Sequence, residues 1–263
     1  MVLNRLIGAV LRAVVMIIII ALPSFILPDS TLNARELSMI AGGVVGAFTI
    51  FEYAAKSPGF VDFRFAPPYN RMRVAIIASE LLVIAFYYRD LPLGGSIIDF
   101  GEQVSALATL PGSPVRMTLD MFANTLTPGQ LSRLGTAMSL AMVLALGLAT
   151  LFAILLWVSR WPVDRAGFNL WVNMPNFEPS EVGRTERRLY RDGMLNILFA
   201  PLILYSAPYV LPLASNTLGS SLLREPQSVV WLATLWAFVP ASLIIRGAAI
   251  LKIRWILREA KKL

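Results

Sequence analysis

The sequence predicts an all-α polytopic membrane protein: one helical domain over residues 1–263, with about six transmembrane helices and both termini in the cytoplasm. Three observations predict it. Apolar segments of about 20 residues recur six times, the length that a rise of about 1.5 Å per residue needs to cross about 30 Å of hydrocarbon. The chain is 57% hydrophobic and only 15% charged, against about 25% charged in an ordinary soluble domain, so it lacks the charges to cover a soluble surface. Its 23 basic residues also alternate from gap to gap: 18 lie at Arg5 and Arg12 and in the stretches 56–73, 160–191 and 246–262. The intervening gaps hold only Arg35, Arg89, Arg116, Arg133 and Arg224 beside seven acids. Basic residues held on one side of successive spans are the positive-inside signature, which sets the orientation.

The six expected spans are 6–27, 37–55, 74–88, 128–158, 194–213 and 229–251. The first opens on basic residues and contains the run Ile17 to Ile20. Its apolar stretch exceeds a signal-peptide core and no small-residue cleavage site follows Pro23 or Pro28, so it reads as a retained helix. In the second, Gly42 and Gly46 put two small residues one turn apart, a surface for close approach of another helix of this chain or of a second protein. The third is the shortest and needs Arg71 or Arg73 to snorkel at one end. Tyr87 and Tyr88 at its other end fit an aromatic interface belt.

Thr127-Pro128-Gly129-Gln130 forms a capping box with proline at the first helical position, so the fourth helix starts near Pro128. The fifth holds Pro201, Pro208 and Pro212. Each removes a backbone donor and crowds the preceding turn, which predicts a kinked or broken helix.

Two connections exceed simple loops. In the outer one, 94–127, Val115, Leu119, Phe122 and Leu126 share one helical face, and Ile97, Ile98, Phe100 and Val104 mark a second short helix. Both are expected to lie as amphipathic interfacial helices on the outer surface. The cytoplasmic connection begins as an aromatic loop and ends in a charged stretch within 178–192, expected as a further amphipathic interfacial helix. The string 63–71 is the most distinctive: Pro67-Pro68 imposes an extended backbone that displays its neighbours. Phe63, Arg64, Phe65, Tyr69 and Arg71, with Trp161, Trp171 and Phe177, form the candidate surface for a partner or for the membrane interface, because aromatics and arginine are what interface hot spots prefer.

Charges inside a bilayer are functional pointers, since a central Arg or Asp costs about 2.5 to 3.5 kcal/mol on insertion scales. Arg12, Glu52, Glu80 and Arg246 are the four candidates. All four fall about 5 to 13 Å from the cytoplasmic edge by helical rise, where two acids and two arginines are expected to pair.

The chain has no cysteine and no histidine. That excludes disulfides, thiolate nucleophiles, Cys/His metal sites and a Ser-His-Asp triad. No phosphate-cradling glycine motif and no carboxylate cluster for a metal occurs, so no catalytic residue and no cofactor is assigned, and bound lipids are the expected ligands. The net charge of +7 has its cause in the anionic cytoplasmic leaflet, not in nucleic acid. Nineteen of the basic residues are arginine, which fits a GC-rich bacterial genome and hence the bacterial inner membrane. The expected function is a non-catalytic accessory, scaffold or assembly subunit of a larger membrane complex, contacting lipids and other membrane proteins. The alternative is a small transporter or channel that uses Glu80, Arg246 and the proline-kinked fifth helix.

Overall fold

The computed structural model describes residues 2–27, 32–55, 59–64, 66–89, 95–159, 161–162, 173–174, 182–218 and 223–260, and contains helices and turns but no strand among them. In chain order the helices are α1 (Val2–Ile26), α2 (Leu32–Ala54), α3 (Tyr69–Arg89), α4 (Gly95–Ala108), α5 (Pro114–Phe122), α6 (Pro128–Val158), α7 (Val182–Leu204), α8 (Ala207–Leu218) and α9 (Pro226–Ala260).

Local sequence sets several of their ends. Thr127 Oγ1 accepts the N–H of Gln130 at 3.3 Å while Gln130 Oε1 accepts the N–H of Thr127 at 3.0 Å, and Pro128 opens α6. That is the expected capping box, satisfying two donors that a helix start otherwise leaves open. Ser113 does the same for α5 by accepting from the Arg116 N–H at 3.0 Å, ahead of Pro114. The face of α5 that turns inward carries Val115, Thr118 and Phe122, as the spacing of its apolar residues requires.

The core lies where α3, α6 and α9 meet. Alanines recur every fourth position on α6 (Ala137, Ala141, Ala145, Ala149) and on α9 (Ala233, Ala237, Ala241), all buried. Lipid tails are as apolar as any side chain, so helices in a bilayer associate through close packing, and small residues permit it. α7 crosses α9 the same way. A Cβ on Gly193 would lie 3.3 Å from the Gly247 carbonyl oxygen. Gly42 and Gly46 of α2 face Ile17 of α1, where a Cβ on Gly46 would meet the Ile17 side chain at 2.7 Å. The expected small-residue contact is therefore used within the chain.

Four helices are long and apolar enough to cross a membrane (α1, α2, α6 and α9), and α7 with α8 passes as one bent pair. α3 spans the expected third segment and has the length, 21 residues, but Arg71, Arg73, Glu80 and Arg89 lower its apolarity. Its position accounts for this. Ile76, Glu80, Leu81, Ile84 and Ala85 are buried, so much of its surface meets protein and not a lipid face.

The bend in the fifth segment is 57° at Tyr205 and Ser206. Pro208 has no N–H to offer the Leu204 carbonyl, and the indole Nε1 of Trp236 donates to that oxygen instead at 2.9 Å. The charged stretch before this segment is corrected. From Val182 onward it is the first part of α7, running unbroken to Leu204, because its residues carry on the helix that the apolar run continues. Residues 178–181 lie outside the described residues.

At one end of the bundle Gln227, in the first turn of α9, lies within hydrogen-bond distance of Ser24 Oγ (2.8 Å), Ser38 Oγ (2.7 Å) and the Ala34 carbonyl (3.0 Å) through its Nε2. The opposite end, where α3 begins and where α6 and α9 finish, carries most of the arginines and is called the basic end below.

Candidate functional site

The basic end is organised by a loop that folds back on the last turn of α2. The Glu52 carboxylate is fully buried and accepts three successive backbone N–H groups, from Gly59 (3.2 Å), Phe60 (3.1 Å) and Val61 (3.3 Å). Charged acceptors make the stronger hydrogen bonds, and a run of backbone donors is a natural anion cradle. Gly59 is required for this approach, since a Cβ there would lie 2.5 Å from Glu52 Oε1. Arg64 returns the contact by donating to the carbonyls of Glu52 and Ala55, the orphan acceptors of a helix C-terminus. Burial lowers the pKa of the Arg64 guanidinium, and the Glu52 charge opposes that shift.

Next to this knot sits an aromatic plug. Phe63 adopts a left-handed backbone (φ 55°), rare for a bulky residue. Its ring lies 4.5 Å from Tyr69 and 5.7 Å from Trp161, and Tyr69 packs edge-on against Phe152. The Phe63 N–H donates to the Asn173 carbonyl and the Trp161 indole to the Ala66 carbonyl. The expectation of a displayed surface is thereby corrected for Phe63, Arg64, Tyr69 and Trp161, all of them buried. Pro67 and Pro68 lie in a turn that leads straight into α3, not in the expected extended segment, and their neighbours turn into the bundle, where three rings fill one space. Arg71 is exposed, as expected of a surface residue. Phe65, Trp171 and Phe177 lie outside the described residues.

Asp62 precedes the plug and faces the end of α9. Its carbonyl accepts from Asn70 Nδ2 at 2.8 Å, and its Oδ2 pairs with Arg246 Nε at 2.7 Å. Asp62 Oδ1 is buried and has no hydrogen-bond partner among the described residues. Here a cavity of about 160 Å³ opens, lined by Asp62, Met174, Asp192, Leu195, Asn196, Arg246 and Ile250. Asn196 is oriented by donating to the Asp192 carbonyl at 2.6 Å, and the Asp192 carboxylate takes Arg191 Nε at 3.2 Å. The cavity thus offers one guanidinium, two carboxylates and a carboxamide, a set suited to water, a proton or a small polar solute. Among the described residues no cluster of three or more Asp or Glu could hold a metal ion.

The four intramembrane charges do not form the expected layer of mutual pairs. Arg12 donates to the Gly8 carbonyl at 2.6 Å and stacks over the Tyr53 ring at 4.8 Å. Glu52 is taken by the loop amides and Arg246 by Asp62. Glu80 is wholly buried in α3, with both carboxyl oxygens lacking a partner among the described residues. The physical reason is reach. Arg12, Glu52 and Arg246 each find a partner in their own neighbourhood before they meet another of the four, and Glu80 is left without one among the described residues.

Sequence reasoning missed Asp62, Asp192 and Asn196. Asp62 had a usable signal, being the acid next to the most distinctive aromatic string. Asp192 lay at the end of a charged stretch that read as an amphipathic interfacial helix, and Asn196 lay inside the expected fifth span. Arg73 was noticed only as a snorkelling end, yet its Nε donates to Ser242 Oγ at 3.3 Å.

None of the known protein families matches this chain, and no characterised protein or solved structure is similar to it.

Proposed function

We propose that this chain is a non-catalytic accessory or assembly subunit of a larger complex in a bacterial inner membrane, crossing it six times with both termini in the cytoplasm. The observation that carries this reading is the placement of α2. Its buried residues are Ser38, Gly42, Gly46, Thr49 and Glu52, a single narrow seam, and its main neighbour is α1. Ile40, Val44, Phe48 and Phe51 stay outside the bundle. A helix that contributes so little to its own core has most of its circumference free for lipid or for a second membrane protein. The inward commitment of Glu52, Arg64 and Arg246 fits a scaffold better than a reaction centre.

Extraction in a gentle detergent followed by native electrophoresis tests it. The expected result is a defined hetero-complex that loses its partner when Gly43, which faces open space on α2, is replaced by leucine. A wild-type chain that migrates alone or only with copies of itself overturns the reading.

A second reading, a small transporter or channel, is favoured by one specific arrangement. The cavity brings Arg246 and Asp62 together with Asp192 and Asn196 of α7, the first half of the bent fifth segment. Solute or ion flux in liposomes, lost on Glu80→Gln, is its test.

A further inference from the structure

Two fully buried polar side chains, Glu80 and Thr234, remain without a hydrogen-bond partner among the described residues. The lack is unusual for Thr234. Thr49, Thr118 and Ser139 each donate to the carbonyl four residues earlier, the common resort of a hydroxyl in a helix. Thr234 leaves that bond unmade.

The register between α3 and α9 puts the two at one level. α3 leaves the basic end at Tyr69 and α9 arrives there at Arg246, so they run in opposite directions. Arg73 fixes the register, donating from Nε to Ser242 Oγ and lying 5.8 Å from the centre of the Phe238 ring. Seven residues further along α3, about 10.5 Å on and on the same face, comes Glu80. The matching step back along α9 reaches the turn that holds Thr234. Thr234, Phe238, Ser242 and Arg246 follow one another at intervals of four, a single stripe on α9. From the Asp62–Arg246 cavity inward, the α3–α9 contact therefore carries Arg246, then Ser242 with Arg73, then Phe238, with Thr234 beyond it at the level of Glu80.

We propose that Glu80 and Thr234 form a proton-binding site at the blind end of this contact, supplied from the Asp62–Arg246 cavity. A carboxylate buried without a counter-charge is strongly disfavoured, and among the described residues no neighbouring element brings one. α6 presents Ala137, Ala141, Ala145 and Ala149, and its Arg133 is exposed. On α9 Arg246 is held by Asp62, and on α3 Arg73 is two turns away on Ser242. On α1 Arg12 is folded onto Gly8 and Tyr53, and Arg5 is exposed. Arg89 at the end of α3 and Asp99 and Glu102 on α4 are exposed too. A proton is the cation this site suits. Two carboxyl oxygens and one hydroxyl are too few for a metal ion, and a metal ion would have to pass two guanidinium groups, whereas a proton moves along hydroxyls and water.

The exchange balances simply. A hydronium ion that reaches Glu80 gives its proton to a carboxyl oxygen and leaves as water, and the reverse step regenerates the carboxylate. The transport reading supplies a use for this proton, and the site is its carrier group.

Infrared spectroscopy of the purified protein in lipid, titrated over pH, is the experiment. The wild type is expected to show a protonated-carboxyl C=O band that disappears in Glu80→Gln and moves to higher wavenumber in Thr234→Val, where the hydroxyl donor is gone. No such band in the wild type at any pH, or a band that Thr234→Val leaves in place, overturns the site. Should Glu80→Gln fail to fold, the Thr234→Val shift and the exchange of the wild-type band in D2O decide the matter alone. Proton uptake into liposomes under a pH gradient is the separate arm. A band that behaves as expected without uptake overturns the transport reading and leaves the site standing.

Discussion

The backbone of Gly247 rests directly on that of Gly193: a Cβ on Gly247 would lie 2.7 Å from the Gly193 carbonyl oxygen. No side chain can enter that contact without moving α7 away from α9. Gly247→Ala is therefore expected to lower stability by about 1 to 3 kcal/mol, the usual cost of overpacking a close contact. Gly43→Ala, with nothing within 4 Å of the new methyl, is expected to be neutral or slightly stabilising through helix propensity. Thermal unfolding of the two variants in the same detergent checks the contrast, and equal midpoints would dismiss it.

Glu52 replaces the missing helical partners of three loop amides, and its charge strengthens each bond. Glu52→Gln keeps the shape but removes the charge and turns an NH2 group toward backbone donors. A loss of about 2 to 3 kcal/mol is expected, in line with hydrogen bonds to charged groups. Hydrogen exchange at Gly59, Phe60 and Val61 should speed up well before exchange in the α6 core. Unchanged protection at those three amides would show that the carboxylate does not hold the loop.

Trp236 and Pro208 are coupled through an oxygen that neither owns. Trp236→Phe leaves the Leu204 carbonyl without its donor and is expected to cost about 1 to 3 kcal/mol. Pro208→Ala returns a backbone N–H near that carbonyl, so the same tryptophan substitution should cost much less in the alanine background. A double-mutant cycle reads the coupling. Additive effects would mean that the indole bond is incidental to the break.

The absence of cysteine makes each introduced thiol the only one in the chain. Cysteines placed at Asn124 and Arg224 are expected to react with an impermeant maleimide added to intact cells, and cysteines at Arg71 and Arg258 only after lysis. All four positions are exposed. Reaction at 71 and 124 from the same side would remove α3 from the set of spans, and reaction at 258 in intact cells would reverse the orientation.

Helix positions were legible because their causes are local. The Thr127 capping box starts α6, the proline cluster breaks the fifth segment, and α5 turns inward at Val115 and Phe122, two of the expected residues. The site was less legible because its causes are not local. Nothing near residue 52 announces that its carboxylate will be met by amides of residues 59–61, and nothing near Arg246 points to Asp62, 184 residues away. The aromatic string was recognised as special for the right reason, its composition. Its direction was misjudged, since the segment forms turns and not an extended strand, and a turn at the end of a bundle can point its side chains inward as easily as outward. Charge pairing was misjudged likewise, because equal depth does not bring two groups onto facing sides.

The three-way contact of Gln227 with Ser24, Ala34 and Ser38 joins the first two helices to the start of α9, 189 to 203 residues further along the chain. The N-terminal hairpin can insert early, but its closing bonds wait for the C-terminal segment to be synthesised. Completion of this bundle thus waits for residue 227, and a chain arrested before it would hold its first two helices in the membrane with Ser24 and Ser38 still lacking the amide that joins them.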